Sequence, residues 1–300
     1  MGQVFALDIS ESGLRAGFVS KDFEVTALSR IDIANFVAGE SSPMEKLLAL
    51  LTAKMRTAPE AIDLIAVMVD CDVTPDQRGV MNFSGANWLA DEPFADFLEK
   101  NLGKPVVLDR RAKALLAYDM ALLGIPAETV AIGCYINTYY ESAIWCRGAF
   151  LNGKSGAAGN IGHMPVHGRE DVCRCGKSGC IELYGAGVRL KQMHSLIFPD
   201  FPLEELFVEN ANHPIIHDFL TMMAYPIAVE ADILDPDFIV LGGKIPMMNS
   251  FPIEIVEEAI RDQAHHPYPA ESLTLIRSTI KAPGDRLIAA ARHALALQGK

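Results

Sequence analysis

Short hydrophobic runs and helical repeats of hydrophobic residues alternate along the chain. Apolar runs predict strands at residues 4–8, 14–19, 62–69, 105–108, 129–136, 142–147 and 238–241. Apolar positions three and four residues apart predict helices at residues 44–55, 94–102, 112–123, 188–196, 215–234 and about 285–297. Because a hairpin followed by alternating helices and strands occurs in both halves, the pattern predicts an α/β protein with two similar lobes.

Length and charge narrow the classes of function. The chain has 300 residues, which suits one large domain or two modest ones, and its formal net charge is −12. No lysine-rich or arginine-rich run is present to neutralise DNA phosphates, so we expect no nucleic-acid partner. The apolar runs are too short to cross a bilayer and the N-terminus does not read as a signal peptide. We therefore expect a cytoplasmic protein with no membrane partner.

Three of the six cysteines, Cys173, Cys175 and Cys180, are clustered. In a cytosolic chain, clustered thiols indicate a metal site rather than a disulfide. His163 supplies an imidazole for the fourth position, and His167 is the alternative. Three thiolates and one imidazole form a closed tetrahedral set for Zn²⁺ with no open position, so the predicted zinc is structural.

The segment around these cysteines reads Gly-His, followed by Cys-x-Cys-Gly-x-x-Gly-Cys-x-Glu, over residues 162–182. This pattern resembles the signature of the ROK family (repressors, open reading frames and kinases). The similarity covers nearly the whole chain, includes residues 235–243, and is greatest to allose-kinase-like members. It implies a two-lobed α/β fold of the actin-like ATPase (ribonuclease H-like) type with an interlobe cleft. We expect lobes at 1–115 and 116–300, with the last helix packing back on the first lobe.

The same resemblance assigns roles to individual residues. It implies that His163 and the three cysteines bind zinc, and that the metal holds the loop that positions a sugar. It further implies that His163 and Glu182 contact sugar hydroxyls, and that Asn160 stands where the family has a third sugar contact, a glutamate. A sugar or sugar derivative is therefore the expected ligand, and a homodimer is the expected assembly.

A sugar kinase also needs backbone amides around the phosphates, an anchor for Mg²⁺ and a base. The family's first phosphate loop reads approximately Asp-x-Gly-Gly-Thr-Lys-x-Arg. Asp8 remains here as a candidate Mg²⁺ anchor, but Ser10 and Glu11 replace both glycines. A carboxylate at this place repels phosphate, and side chains block close approach of the backbone. Alternatively, Glu11 turns outward to solvent.

The second phosphate loop has changed further. The family pattern Gly-Thr-Gly-x-Gly corresponds to residues 137–141, where only Thr138 matches and Tyr139, Tyr140 and Glu141 follow. On the nucleotide side, Gly242 and Gly243 remain, but Lys244 replaces a third glycine. These substitutions argue against binding of ATP and Mg²⁺.

The family's catalytic base is the aspartate of an Asn-Asp-x-Asn motif, which aligns with Arg111. A guanidinium stays protonated at neutral pH and cannot act as a base. Asp109 is the alternative base if the register slips by two residues. We expect Arg110, Arg111 and Lys113 to pair with Glu11 and Glu141, or to attract an anion such as a sugar phosphate or sugar acid.

Three functions follow as hypotheses. The first is a ROK-family kinase homologue that binds a sugar without efficient phosphoryl transfer. The second is an active ATP-dependent hexose or N-acylhexosamine kinase with atypical loops, which leaves open whether the chain is an enzyme. The third is the body of a ROK regulator, although the chain starts at the first strand of that body, without room for a DNA-binding helix-turn-helix.

Overall fold

The computed structural model describes residues 2–10, 13–33, 35, 42–81, 87–90 and 93–299. Predictions about Glu11 lie outside the described residues. The described part folds into two compact units. The first is formed within Met1–Tyr118, Asn152–Ala157 and Ala282–Lys300, and the second within Asp119–Leu151 and Ala158–Lys281. Both units are therefore discontinuous in sequence, and the lobe bounds of 1–115 and 116–300 stay a prediction.

A five-stranded sheet forms the centre of the first unit, in the order β3-β2-β1-β4-β7. Its strands are β1 (Gln3–Ser10), β2 (Gly13–Val19), β3 (Val25–Ile31), β4 (Ile62–Val69) and β7 (Val106–Arg110). The strands β1, β2 and β3 are antiparallel, whereas β1, β4 and β7 run parallel. In the β1–β2 register Asp8 lies opposite Arg15. A small ribbon pairs β5 (Asp72–Val73) with β6 (Val80–Met81).

Three helices pack on this sheet through apolar faces: α1 (Pro43–Met55), α2 (Phe94–Leu102) and α9 (Pro283–Gln298). The start of α3 (Arg111–Leu123) also belongs to this unit. The last of them, α9, packs against β1, β2, β3, β4 and β7 and buries Leu287 and a series of alanines. The first unit is thus completed by the last helix of the chain.

A second five-stranded sheet forms the centre of the other unit, in the order β10-β9-β8-β11-β12. Its strands are β8 (Val130–Ile136), β9 (Tyr140–Cys146), β10 (Ala149–Phe150), β11 (Phe238–Gly242) and β12 (Leu275–Arg277). The helices of this unit are α4 (Glu182–Gly185), α5 (Gly187–Ile197), α6 (Leu206–Asn210), α7 (Pro214–Leu234) and α8 (Ile253–Gln263). Short 3₁₀ turns lie at Asn87–Ala90 in the first unit and at Ile161–His163 and Leu203–Glu205 in the second.

The mixed α/β class is confirmed, and the strands and helices found by periodicity are present with ends shifted by no more than two residues. Sequence reasoning missed β3, β12 and α8, and also the short elements β5, β6, β10, α4 and α6. Among the described residues, none of the helices combines the length and the apolar character that crossing a bilayer demands.

Candidate functional site

The clustered cysteines meet in a loop of the second unit, between β10 and α4. Ligand atoms of His163, Cys173, Cys175 and Cys180 all lie within 4.8 Å of one another. The Cys173 Sγ–His163 Nδ1 and Cys175 Sγ–Cys180 Sγ distances are both 3.6 Å. A zinc tetrahedron with its usual bond lengths places sulfur atoms about 3.8 Å apart and sulfur and nitrogen about 3.5 Å apart. This group has the size and the donor chemistry of a zinc site.

His167, the alternative fourth ligand, is exposed and is not a member of this group. The loop holds its shape through short bridges between Pro165 and Cys180 and between Val172 and Ser178. Burial raises the pKa of the Cys173 thiol well above its ordinary value, and Glu182 beside it raises the pKa further. A divalent cation at the centre would oppose this effect because it favours the thiolates.

Glu182 begins α4 and is fully buried beside the cysteines. Its Oε1 accepts a hydrogen bond from Cys173 Sγ at 3.1 Å and lies 3.5 Å from both Arg174 Nε and His163 Nδ1. Its Oε2 has no hydrogen-bond partner among the described residues, although it is buried. An unpaired buried carboxylate oxygen is costly. This atom therefore keeps an unused capacity to accept a hydrogen bond.

The other two candidate sugar residues lie in the turn next to Glu182. Asn160 accepts the backbone N–H of His163 and precedes the 3₁₀ turn, while His163 ends it. Gly162 lies between them, and a Cβ there would come within 2.5 Å of Tyr140 Cβ and 3.4 Å from Glu182 Oε2. The close packing brings this turn against the unpaired oxygen.

In the turn between β8 and β9, two of the substituted glycine positions bond to each other. Asn137 Nδ2 donates to Glu141 Oε1 at 2.7 Å, and Asn137 Oδ1 accepts the Lys244 N–H at 2.9 Å. The carbonyls of Asn137 and Thr138 accept N–H groups from the start of α5. Amides and glycine positions that would surround phosphate in the family pattern are thus engaged within the protein.

The two tyrosines of this turn, Tyr139 and Tyr140, make different contacts. The Tyr139 ring lies 3.8 Å from the guanidinium carbon of Arg174, a cation–π contact. Tyr140 is buried in the core, and its hydroxyl donates to the Met223 carbonyl. Through Arg174, the β8–β9 turn is joined to Glu182 and the cysteine loop.

Close packing explains why glycine occupies positions 242 and 243, and this explanation does not depend on a bound nucleotide. Gly243 has φ +95°, and a Cβ there would lie 2.5 Å from the backbone nitrogen of Ile136. At Gly242 a Cβ would meet Ser278 Cβ at 2.5 Å. Lys244 Nζ is exposed, 3.9 Å from Glu204.

In the first unit, Arg111 binds the residue expected to hold Mg²⁺. Arg111 NH1 donates to Asp8 Oδ1 at 2.9 Å, and its NH2 lies 3.3 Å from Asp70 Oδ2. Both Arg111 and Asp8 are buried. Burial raises the pKa of Asp8, but Arg111, Arg286 and Arg15 outweigh it and hold the pKa below its ordinary value. The Asp8 carboxylate is therefore ionised and already neutralised.

Asp109, the alternative base, is also buried and saturated with donors. Lys113 Nζ and His293 Nε2 each lie 2.8 Å from its carboxylate, and the Arg110 N–H donates to Oδ1. Although burial raises its pKa, the contacts with His293 and Lys113 lower it to about 2. Such a group is a weak proton acceptor.

These contacts give Arg111 and Lys113 acidic partners that the sequence analysis did not name, namely Asp8, Asp70 and Asp109. Asp70 follows β4 directly, and that position at a strand's carboxyl end was an available signal. Arg286 and His293 carry no local signal, since the contacts they make join residues far apart in the chain. Arg174, the residue within the Cys-x-Cys motif, was also overlooked.

The model of the ROK family matches residues 6–286. N-acetylmannosamine kinase from Vibrio cholerae serotype O1 is 27% identical over 266 residues, covering 87% of this chain and 90% of the relative.

Solved structures match along almost the full chain. A ROK glucokinase from Streptomyces griseus, in complex with glucose and AMPPNP, has a TM-score of 0.77 at 19% identity, covering 98% of this chain and 100% of its own. A ROK transcriptional regulator, a homologue of the E. coli MLC protein, has a TM-score of 0.80 at 19% identity, covering 98% and 78%. The expected actin-like ATPase fold is confirmed. Because the family model spans most of its length, the chain belongs to the ROK family.

Proposed function

We propose that this protein binds a sugar or sugar derivative and does not catalyse efficient phosphoryl transfer. The observation that carries the proposal is the buried contact of Arg111 with Asp8 at 2.9 Å. It joins the residue at the family's base position to the residue at its Mg²⁺-anchor position. One substitution therefore affects both requirements of the reaction.

The loss of a base is the first consequence. A guanidinium cannot take the proton of a sugar hydroxyl, and loss of general-base catalysis typically costs about 10²–10⁴-fold in rate. Asp109 does not replace the missing base because it is buried between Lys113 and His293. Its pKa, lowered to about 2, also makes it a poor acceptor at neutral pH.

The second consequence of the Arg111–Asp8 contact is the loss of a metal anchor. Three guanidinium groups, from Arg15, Arg111 and Arg286, lie within 3.7 Å of the Asp8 carboxylate. A divalent cation brought to Asp8 would be repelled by all three. The engaged amides at Asn137 and Lys244 weaken phosphate binding in the second unit as well.

The sugar side of the family pattern is retained in part. His163 and Glu182 remain, and the unpaired Glu182 Oε2 offers an acceptor to a hydroxyl. We propose that zinc held by His163 and the three cysteines fixes this loop. Its four protein ligands leave no open coordination position, so its role would be structural.

Two measurements test the proposal together. A coupled ADP-release assay over hexoses and N-acylhexosamines should give turnover far below the 1–100 s⁻¹ usual for kinases. Isothermal titration with the same sugars should give saturable binding for at least one of them. Turnover in the usual range would contradict the proposal, and so would the absence of binding across the panel.

An active ATP-dependent hexose or N-acylhexosamine kinase is the second candidate, favoured by the similarity to N-acetylmannosamine kinase from Vibrio cholerae. The same ADP-release assay separates it from the first. The third candidate is the body of a ROK regulator, favoured by the structural match to a ROK transcriptional regulator. A gel shift tests whether the protein binds DNA. By resemblance to the family we also propose a homodimer, which light scattering checks.

A further inference from the structure

Arg174 connects two parts of the second unit, the turn between β8 and β9 and the start of α4. Its guanidinium carbon lies 3.8 Å from the centre of the Tyr139 ring in that turn. Its Nε lies 3.5 Å from Oε1 of Glu182, the first residue of α4. The Arg174 side chain is 18% exposed, and the Glu182 side chain is fully buried. The guanidinium thus contacts both an aromatic ring and a buried carboxylate.

The Glu182 carboxylate depends on Arg174 for a permanent positive charge. A buried carboxylate is costly unless a cation compensates it. Among the described residues, His163 and Arg174 lie within ion-pair distance of Glu182. As a ligand of the proposed zinc, His163 would be neutral, because a metal binds the unprotonated imidazole nitrogen. Zn²⁺ bound by three thiolates carries a net negative charge and does not replace the guanidinium.

The contacts of Glu182 leave one of its two oxygens available. Cys173, His163 and Arg174 all lie next to Oε1. In contrast, the buried Oε2 has no hydrogen-bond partner among the described residues. Because Arg174 holds Oε1, the carboxylate is oriented with Oε2 as the remaining acceptor.

Tyr139 in turn restricts the position of Arg174. A planar guanidinium stacks on an aromatic face, and a lysine ammonium does not give the same flat contact. The stacking uses the ring of Tyr139 and does not need its hydroxyl. Tyr139 stands where the family's second phosphate loop has a glycine, which has no side chain for such a contact. The substitution therefore gives Arg174 a surface that the family pattern lacks.

We propose that Arg174 is a positioning residue for Glu182 in sugar binding, and that Tyr139 holds Arg174 in place. This inference rests on the proposed function, since it concerns the same sugar site. Arg174 acts through the carboxylate of Glu182 and does not itself contact the sugar. A side chain that replaces a glycine of the phosphate loop thereby contributes to sugar affinity.

Isothermal titration with the sugar that the parent protein binds best tests this role. Arg174→Ala should weaken affinity by about tenfold, because it removes a contact between charged groups at Glu182. Tyr139→Ala should weaken it by about threefold, as expected for the loss of a cation–π contact. Tyr139→Phe keeps the ring and should retain an affinity close to that of the parent. Unchanged affinity in both alanine variants would overturn the proposal.

Arg169→Ala is the matched control. Arg169 is exposed in the same loop and makes a similar cation–π contact, 5.0 Å from the Tyr184 ring. It is not among the described ion-pair partners of Glu182, so its removal should leave sugar affinity unchanged. A loss equal to that of Arg174→Ala would mean that the charge of the loop, and not the position of Glu182, determines affinity. That result would also overturn the proposal.

A double variant separates positioning from direct contact with the sugar. Once Glu182→Gln has removed the charge, adding Arg174→Ala should cause little further loss of affinity. A further tenfold loss in this background would show that Arg174 binds the sugar directly, and the positioning role would be wrong.

Thermal unfolding tests the stacked pair without sugar, so its failure can be told from failure of the proposed function. Absence of sugar binding by the parent contradicts the proposed function alone. The Tm shifts of Tyr139→Ala and Arg174→Ala should add up to more than the shift of the double variant, since both remove the same contact. Additive shifts, or loss of bound metal in Arg174→Ala, would overturn the positioning role.

Discussion

At the scale of single residues, the proposed function depends most on Arg111 and Glu182. The sequence identified both residues, but it did not predict all of their contacts. Arg111 could be predicted to stand at the family's base position because this alignment needs only local sequence. Its partner Asp8 could not be predicted, since β1 and the start of α3 lie 103 positions apart. Glu182 was identified by its motif, but its unpaired oxygen depends on packing that no local pattern describes.

Arg111→Ala should destabilise the protein by about 3 kcal/mol, because removing one member of a buried ion pair leaves the other charge without its compensation. Arg15 and Arg286 remain near Asp8, which keeps the loss at the lower end of the usual range. Urea unfolding measures the effect. Arg56→Ala removes an exposed arginine and should change stability by no more than about 0.5 kcal/mol. Equal effects of the two variants would show that the Arg111–Asp8 contact contributes little.

Glu182→Gln should weaken sugar affinity by about tenfold, because an amide replaces the charged acceptor Oε2. Glu209→Gln provides the control, since Glu209 is exposed in α6. Titration with the best-bound sugar is the measurement, and zinc content shows whether the neighbouring loop is intact. Unchanged affinity in Glu182→Gln would remove this residue from the sugar site.

At the scale of elements, a buried strand was easier to predict from the sequence than an exposed one. The strand β4 is almost entirely buried and reads as a continuous apolar run, whereas β3 is an exposed edge strand with polar residues and gave no signal. The helix α8 does carry apolar positions at Val256, Ala259 and Ile260, spaced three and four apart, so its pattern was present and overlooked. The grouping of His163 with the three cysteines could be predicted because these residues are close in sequence.

Cys180→Ser should abolish tight zinc binding and lower Tm by several degrees, because the proposed zinc would cross-link four side chains of this loop. Elemental analysis should find about one zinc per chain in the parent protein and much less in the variant. Cys146→Ser is the control, since Cys146 is exposed and outside the cluster. If both variants keep the same metal content, Cys180 is not a ligand.

At the scale of the whole molecule, long-range contacts complete the first unit. Asp109 in β7 meets His293 in α9 across 184 positions of sequence. The sequence predicts both elements, and also that the last helix returns to the first lobe. It cannot say which side chains meet there, because that depends on register and helix rotation.

The contact between Asp109 and His293 should make the stability of the folded protein depend on pH. Its pKa falls from 3.8 to about 2 in the folded protein, so its contribution is complete above pH 4 and is lost as pH falls through 2. That difference corresponds to about 2 kcal/mol. Asp109→Asn should therefore unfold more easily at neutral pH by at least this amount, with a gap to the parent protein that narrows in acid.

Urea unfolding at several pH values checks the Asp109 prediction. Asp218→Asn, at an exposed position of α7, serves as the control and should follow the parent protein at every pH. A gap that stays constant from neutral to acid pH would show that the ionisation of Asp109 does not contribute.

The discontinuity of the first unit has a consequence for synthesis. The strands β1 and β4 leave the ribosome long before α9, which packs on them and brings Arg286 to Asp8 and His293 to Asp109. Until α9 has been synthesised, one face of the nascent sheet lacks its helix and two buried acids lack these partners. Such an intermediate exposes apolar surface, so the nascent chain should depend on chaperones until its final helix emerges.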